Sequence, residues 1–136
     1  ISRVIMVQVM INNFLIISFI GKNDRLGLRI NKDFFIHNFV ENKKNNDTLV
    51  SEIDTFLKKH NVILDKDFTV LVNQGPGSFS GIRTALAVAK GLEISKKIRL
   101  YGFNSEDLTI FNEENIEKLI KKKLIEKNLI KPIYLS

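Results

Sequence analysis

The fold is indicated most clearly by one segment, which reads Phe68-Thr-Val-Leu-Val-Asn-Gln-Gly-Pro-Gly-Ser-Phe-Ser-Gly-Ile-Arg83. Its first residues, 68–72, are apolar except for Thr69, which is typical of a buried strand. Residues 73–81 form a glycine-rich turn, and the apolar, alanine-rich residues after it predict a helix from about Ser80 to Ser95. A buried strand, a turn and a helix in this order predict a mixed α/β domain.

The glycine-rich turn opens a helix, and the free N–H groups of a helix start can hold a phosphate. Sharper phosphate motifs fail on their spacing. A Walker-type loop beginning at Gly75 needs a glycine at position 80, which is Ser80. One beginning at Gly77 needs a glycine at position 82, which is Ile82. The dinucleotide pattern misses by one residue, because the third glycine is Gly81.

The same turn also differs from a nucleophile elbow, since Phe79 holds the central position that a serine would need. Pro76 stiffens the turn, and Ser78 or Ser80 is suited to cap the exposed amides of the helix. The favoured interpretation is therefore a structural turn. A generic phosphate cradle is the alternative.

The helix after the turn is apolar around more than half of its circumference, counted at about 100° per residue. Its apolar positions are Ile82, Ala85, Leu86, Val88, Ala89 and Leu92. One sheet cannot cover so wide a face, and the small residues Gly81, Ala85 and Ala89 would allow another helix to approach closely. That neighbour is either the first helix of the same chain or a helix of a partner subunit.

The first half of the chain predicts three strands and a helix. The strand-like runs are residues 14–20, 25–30 and 33–40. Tight polar links join them, which predicts an antiparallel meander. A helix then begins at Asn46 or Asp47 and ends near His60. Its apolar stripe consists of Leu49, Ile53, Phe56 and Leu57.

The second half continues as alternating elements. The pattern predicts a strand at residues 98–101, a short helix capped by Ser105, a helix at residues 113–128 and a closing strand or extended tail at residues 132–135. The full order is βββ-α-β-α-β-α, which is the order of a ribonuclease-H-like α/β domain. We therefore expect this fold, although order alone also allows other mixed sheets.

Composition fits one soluble domain. The 136 residues are 44% apolar and 26% charged, which argues against disorder and against a polytopic membrane protein. The absence of cysteine excludes disulfides and cysteine-ligated metal sites. The net charge of +6 is spread along the chain, and the one basic cluster, Lys121-Lys122-Lys123, is flanked by Glu117 and Glu126. A solvated surface is therefore favoured over a dedicated nucleic-acid patch.

The N-terminal residues raise the question of targeting. The chain does not begin with Met, and Met10 precedes the first strand-like run, so residues 1–9 are interpreted as a start-site artefact. Gln8, Asn12 and Asn13 interrupt the apolar run, and no small-residue cleavage site follows. We therefore expect no signal peptide and no membrane span, and a cytoplasmic protein.

Few side chains suggest catalysis. His37 falls in a strand and His60 at a helix end, and neither belongs to an i, i+4 ligand pair. The acidic pairs of the second half lie in loops or at helix starts, where carboxylates commonly cap helices. A ribonuclease-H nuclease needs acids that converge from its first strand, and this strand carries none. We expect no catalytic residues, no metal and no cofactor.

The turn and its surroundings resemble the glycoprotease-like family, and within it the TsaB group. The resemblance rests on Gly75-Pro-Gly-Ser-Phe-Ser-Gly-Ile-Arg83, on the alanine-rich helix through Lys90-Gly91-Leu92, and on Tyr101-Gly102 and Ser105. The usual run is Gly-Pro-Gly-Ser-Phe-Thr-Gly-Leu-Arg, so only two positions depart mildly from it. The motif-loop residues are Gly75, Pro76, Gly77, Ser78, Phe79, Ser80, Gly81 and Arg83. Lys131-Pro-Ile-Tyr-Leu135 is similar to the closing Pro-Val-Tyr-Leu segment of the family.

The resemblance implies a ribonuclease-H-like single domain of the actin/Hsp70-like (ASKHA) superfamily. Residues 10–111 would form the glycoprotease-like N-terminal domain, and residues 112–136 a C-terminal helix and short closing strand. It also implies a non-catalytic subunit that binds a TsaD-type subunit, which transfers a threonylcarbamoyl group to the tRNA adenosine beside the anticodon. Dimers of this family pack through helices of their N-terminal domains. The resemblance therefore implies that the wide apolar face of the helix after the turn contacts a partner subunit. The expected interface is Leu49, Ile53, Phe56, Leu57, Ile82, Ala85, Leu86 and Ala89.

Three departures limit this resemblance. The family's first strand typically ends in Asp-Thr-Ser, but Ser18 stands at the Asp position. Its first helix commonly begins with His-Ser/Thr, but here Asp47 precedes Thr48. Only about twenty residues separate Phe111 from the closing segment, so most of the second domain is expected to be missing, and with it an interdomain nucleotide cleft.

The sequence thus predicts a TsaB-like scaffold in a heterodimer with a TsaD-type subunit, and tRNA contact only indirectly through that complex. A TsaE-type ATPase is a candidate further partner, and a homodimer is the alternative in isolation. The runner-up is a small nucleotide- or phosphate-binding enzyme that uses the loop at residues 75–81.

Overall fold

The computed structural model describes residues 12–39, 46–123, 125–127 and 131–133, without the side chains of residues 46 and 47. The start-site prediction for residues 1–9 lies outside these residues, as do Tyr134 and Leu135 of the predicted closing strand.

The described chain forms one mixed sheet with helices on both faces. The strands are β1 (Phe14–Ser18), β2 (Arg25–Ile30), β3 (Asp33–Asn38), β4 (Thr69–Asn73), β5 (Arg99–Phe103) and β6 (Ile125–Glu126). The helices are α1 (Asn46–Lys59), α2 (Phe79–Lys96) and α3 (Glu113–Lys121), with a 3-10 turn at Ser105–Asp107. The strand order is β3-β2-β1-β4-β5-β6, in which β1, β4 and β5 are parallel and the other neighbours antiparallel. The predicted α/β fold and element order are confirmed, with β6 as an addition.

The two faces of the sheet have separate cores because successive side chains of a strand point to opposite faces. On β1, Leu15 and Ile17 pack under α1 and α2, whereas Phe14 and Ile16 pack under α3. Covering on both faces explains why this central strand is one continuous apolar run rather than an alternating pattern. No helix in the described ranges is both long enough and apolar enough to cross a membrane.

Two sequence predictions about local structure are wrong. The third helix ends at Lys121, not at residue 128, because Lys123 takes a left-handed conformation (φ 57°) and the chain turns back. Glu126 and Ile125 then pair with Gly102 and Phe103, which covers the edge of β5.

The second error concerns the cap of the short helix. Asn104, not Ser105, provides it, since Asn104 Oδ1 accepts a hydrogen bond from the N–H of Glu106 at 2.8 Å. Ser105 Oγ instead donates to the carbonyl oxygen of Pro76 at 2.8 Å, which ties the 3-10 turn to the glycine-rich loop.

Helix α3 is held to β2 by an ionic cluster. Arg29 Nη1 lies 3.2 Å from a carboxylate oxygen of Glu113 and also contacts Glu117. The Arg29 side chain is only 16% exposed, so water screens these contacts less than it would at the surface. Replacing Arg29 leaves two carboxylates close together beside an apolar core.

We expect Arg29→Met to lower the free energy of unfolding by about 1 to 3 kcal/mol. Denaturant unfolding measures this, and a double-mutant cycle with Glu117→Gln should give a coupling energy of about 0.5 kcal/mol or more. Lys118→Met is the matched control, because it breaks only the exposed pair between Lys118 and Glu114. Equal effects of the two Met substitutions would contradict a special role for Arg29.

Candidate functional site

The motif loop lies across the carboxyl end of β1. The N–H of Ser78 donates to the carbonyl oxygen of Ile20 at 2.7 Å. A Cβ on Gly77 would lie 2.7 Å from the Cβ of Ile20, and one on Gly81 would lie 2.7 Å from the carbonyl oxygen of Phe19. Two of the three motif glycines are therefore needed because two backbone segments pass very close to each other.

The other side of the loop holds the described part of the closing segment. The N–H of Ile133 donates to the carbonyl oxygen of Gln74 at 2.6 Å, and Gln74 Nε2 donates to the carbonyl oxygen of Lys131 at 2.9 Å. Gly75 has φ +103°, and a Cβ there would collide with the carbonyl oxygen of Ile133. The structure thus brings together the loop and the closing segment, the two parts of the sequence that resemble the same family.

Several N–H groups of the loop already have partners within the fold, namely those of Gly75, Ser78 and Gly81. Asn73 Oδ1 accepts a hydrogen bond from the N–H of Gly75 at 2.8 Å. At the start of α2, the carbonyl oxygen of Ser78 accepts a hydrogen bond from the N–H of Ile82 at 3.0 Å. Ser78 Oγ lies 3.5 Å from the nitrogen of Gly81. A phosphate cradle needs such amides to be available, so the hydrogen bonding of the loop favours a structural turn.

A neutral pair occupies the position where the family resemblance expects an aspartate. Asn73 Nδ2 donates to Ser18 Oγ at 3.2 Å, and both residues are buried. In the described part of the chain, no group of three or more His, Asp or Glu side chains could hold a metal ion. The end of β1 therefore presents hydroxyl and amide groups rather than converging carboxylates.

The two histidines have partners within the fold. His37 Nε2 lies 2.6 Å from Glu52 Oε2, which connects the edge strand β3 to α1. The ring of His60 stacks on Phe35 with centroids 3.9 Å apart. Both side chains thus help to hold β3 against α1.

All the residues expected at a partner interface lie in the core of this chain. Their exposed fractions are Leu49 0%, Ile53 3%, Phe56 5%, Leu57 7%, Ile82 0%, Ala85 0%, Leu86 9% and Ala89 0%. The neighbours of the wide apolar face of α2 in the described chain are α1 and the sheet. Direct contact of these side chains with a partner stays a prediction, and the accessible surface of the helix pair is formed by other residues.

The outward face of α2 carries a strip of small residues. At 100° per residue, the strip consists of Ser80, Thr84, Ala87, Gly91 and Ser95, and the exposed side chains of Arg83 and Ile94 lie beside it. A Cβ on Gly91 would meet no atom within 4 Å, so the space beside it is open. Small side chains let a second helix approach the backbone closely, as ridges-into-grooves packing requires.

An apolar groove of about 620 Å³ runs beside this face, between α1 and α2. Its apolar lining is Val50, Ile53, Leu57, Val62, Ile63, Leu64, Val88 and Leu92. Val50 is 51% exposed and Ile63 85% exposed, so large apolar side chains stand at its rim. We call the small-residue face and this groove together the outer α1–α2 surface.

Sequence reasoning missed the outer α1–α2 surface because it followed hydrophobicity. The small residues of α2 recur at helical spacing in the printed sequence, which was an available signal. Ile63 lies in the link after α1, where no periodic pattern marks it.

Alanine should change the free energy of unfolding in opposite directions at Gly77 in the loop and at Gly91 on the outer face of α2. We expect Gly77→Ala to lower the free energy of unfolding by about 1 to 3 kcal/mol, because its methyl group would press on Ile20. Gly91→Ala should raise it by about 0.5 to 1 kcal/mol, since alanine is the better helix former and meets open space. Urea unfolding of both variants checks this, and a destabilised Gly91→Ala protein would contradict the open outer face.

Comparisons with known proteins agree on one family. A family model described as TsaD, tRNA N6-adenosine threonylcarbamoyltransferase, matches residues 40–122, which is more than half of the chain. A Buchnera aphidicola (subsp. Baizongia pistaciae, strain Bp) protein named tRNA threonylcarbamoyladenosine biosynthesis protein TsaB is 42% identical over 60 residues, 43% of this chain and 27% of that protein. The TsaB of Buchnera aphidicola subsp. Schizaphis graminum (strain Sg) is 29% identical over 108 residues, 75% of this chain and 49% of its own length.

A solved structure shares the fold. YeaZ from Pseudomonas aeruginosa superimposes with a TM-score of 0.62 at 19% identity, over 69% of this chain and 44% of its own. The chain thus spans about half or less of the length of these relatives. With the motif loop, the sheet order and these matches in agreement, the chain belongs to the family described as TsaD, tRNA N6-adenosine threonylcarbamoyltransferase, as a TsaB-like member.

Proposed function

We propose that this chain is a non-catalytic, TsaB-like subunit that binds a TsaD-type subunit and supports threonylcarbamoyladenosine modification of tRNA. The observation that carries the proposal is the outer α1–α2 surface, a small-residue helix face beside an open apolar groove. The names of the curated relatives place those proteins in the same biosynthesis.

The outer α1–α2 surface is suited to a helical partner. A helix that packs along Ala87 and Gly91 can approach α2 closely, while its larger side chains enter the groove beside Val88 and Leu92. Apolar patches of this kind on soluble proteins commonly mark interaction sites. Burial of the groove lining would supply the main favourable free energy of such a contact.

The end of β1 supports the non-catalytic part of the proposal. Metal-assisted phosphoryl chemistry needs carboxylates that hold the ions, whereas Ser18 and Asn73 bind each other as neutral groups. We propose that tRNA is reached through the partner, because the groove between α1 and α2 is lined mainly by apolar side chains, whereas binding of a nucleic acid backbone depends on basic ones.

A calorimetric titration tests the proposal. The TsaD-type subunit of the same organism, titrated into this chain at micromolar concentration, should bind saturably and one to one. Absence of binding under these conditions contradicts the proposal. Titration with ATP or ADP addresses the runner-up: saturable nucleotide binding that Gly77→Val removes, with no subunit binding, would favour a nucleotide-binding enzyme.

Self-association would use the same surface and is a competing outcome. If this chain forms a homodimer in isolation, the TsaD-type subunit should dissociate it, because both contacts need the outer α1–α2 surface. Sedimentation velocity of the mixture would then show a heterodimer. A homodimer that is indifferent to the TsaD-type subunit contradicts the scaffold role.

A further inference from the structure

The fold accounts for most residues of the motif loop, but it does not account for the exposed pair Phe79 and Arg83. The glycines permit close backbone contacts, and Ser78 caps α2. Phe79, in contrast, is 55% exposed, and Arg83 is also exposed at the protein surface. A phenylalanine exposed to this extent gains little from folding.

The two side chains form a pair at the start of the small-residue face of α2. They are four residues apart, so they lie on neighbouring turns of the helix, and the guanidinium carbon of Arg83 lies 5.1 Å from the centre of the Phe79 ring. Stacking of this kind restricts the arginine and leaves the edge of its planar group open to a ligand. Together with Ser80, Thr84 and Ala87, the pair lines a shallow depression of about 330 Å³.

Arg83 contrasts with several other cations of the described chain, which have carboxylate partners. Arg29 contacts Glu113 and Glu117, Arg99 lies 3.8 Å from Asp67, and Lys90 lies 3.7 Å from Glu93. Among the ion pairs of the described residues, none involves Arg83. Its donors are therefore available for a carboxylate from outside the described chain.

We propose that Phe79 and Arg83 anchor an aspartate or glutamate side chain of the TsaD-type subunit, a contact that rests on the proposed function. An arginine held on an aromatic ring at the edge of an apolar contact is typical of interface residues that dominate binding. The carboxylate would bind the guanidinium edge in a bidentate way and fix the position of the partner helix along α2.

Charge reversal at one matched pair of sites tests this anchor. Arg83→Glu should weaken binding of the TsaD-type subunit by about 30-fold or more, and Arg83→Lys by about tenfold, because lysine lacks the bidentate edge. Lys121→Glu makes the same change of charge on exposed α3, on the other face of the sheet, and should leave the dissociation constant within about threefold. Denaturant unfolding should show that Arg83→Glu leaves the free energy of unfolding nearly unchanged.

The salt dependence of the dissociation constant separates a specific ion pair from a packing effect. Wild-type binding should weaken as NaCl rises from about 50 to 500 mM, and Arg83→Gln should show a clearly smaller slope. Binding within threefold of wild type for Arg83→Glu, or equal losses in Arg83→Glu and Lys121→Glu, would overturn the anchor. The anchor would also be overturned if Arg83→Glu weakened only tRNA binding and left binding of the TsaD-type subunit unchanged.

The failures of the two proposals are distinguishable. If Gly91→Trp abolishes subunit binding while Arg83→Glu does not, the docking surface stands and the carboxylate anchor is wrong. If the wild-type chain does not bind the TsaD-type subunit at all, both proposals are wrong.

Discussion

Replacing Gly91 by tryptophan should abolish binding of the TsaD-type subunit while leaving the fold intact. The space around Gly91 is open within 4 Å, so the indole can be accommodated in the isolated chain. In a complex it would stand where the partner helix approaches α2 most closely. Tryptophan is also a better helix former than glycine, so no loss of stability is expected from propensity. We expect the dissociation constant to rise by about 100-fold or more, measured by calorimetric titration.

A second tryptophan provides the control for Gly91→Trp. Lys121→Trp adds the same side chain at the exposed end of α3, on the opposite face of the sheet, and should bind the partner as the wild type does. Binding of Gly91→Trp with wild-type affinity would show that the partner contacts another surface. A loss in both variants would point to a nonspecific effect of the exposed indole.

Ala85→Glu should destroy the fold rather than a partner contact. Ala85 is 0% exposed and lies within the cluster formed by α1, α2 and the sheet. Burying an unpaired carboxylate there should cost about 3 to 5 kcal/mol, a large part of the total stability of a domain of this size. Circular dichroism and denaturant unfolding should show a protein that is largely unfolded or strongly destabilised.

Ala87→Glu is the matched comparison, because it introduces the same side chain two residues further along α2 on the exposed face. It should retain native stability within about 0.5 kcal/mol and lose binding of the TsaD-type subunit. A folded Ala85→Glu protein with native stability would contradict the core packing. An unfolded Ala87→Glu protein would contradict the exposed position of the small-residue face.

The central part of the fold could be predicted because its local signals agree with its packing. Residues 69–73 are all buried, with the apolar run 70–72 at their centre, because β4 is covered on both faces, and the glycines mark a turn that packs against β1. The tight polar link between Ile30 and Asp33 likewise indicated the hairpin of β2 and β3.

The end of α3 could not be predicted because its cause is not local. The helical pattern continues past Lys121, but pairing of Ile125 and Glu126 with β5 takes precedence over helix propensity. The role of Ser105 depends in the same way on the carbonyl oxygen of Pro76, which is distant in sequence.

The candidate site shows a different limit of sequence reasoning. Hydrophobic periodicity identified apolar side chains that must be buried from water, such as Ile53 and Ala85. The chain buries them between its own helices and the sheet. The proposed docking face beside this core is instead marked by small residues and open space, and the open space beside Gly91 is visible only in the structure. Gly75 and Gly77 lie in a turn as predicted, whereas Gly81 lies in the first turn of α2. The need for the three glycines comes from Ile133, Ile20 and Phe19, respectively.

Site-specific photocrosslinking tests the central claim most directly, since the chain contains no cysteine and accepts a single engineered one. Gly91→Cys and Lys121→Cys, each labelled with a benzophenone maleimide, would be mixed with the TsaD-type subunit and irradiated. The account predicts a covalent product of the two subunits from position 91 and none from position 121. A product from position 121 alone, or no product from either position at micromolar concentration, would contradict docking through the outer α1–α2 surface.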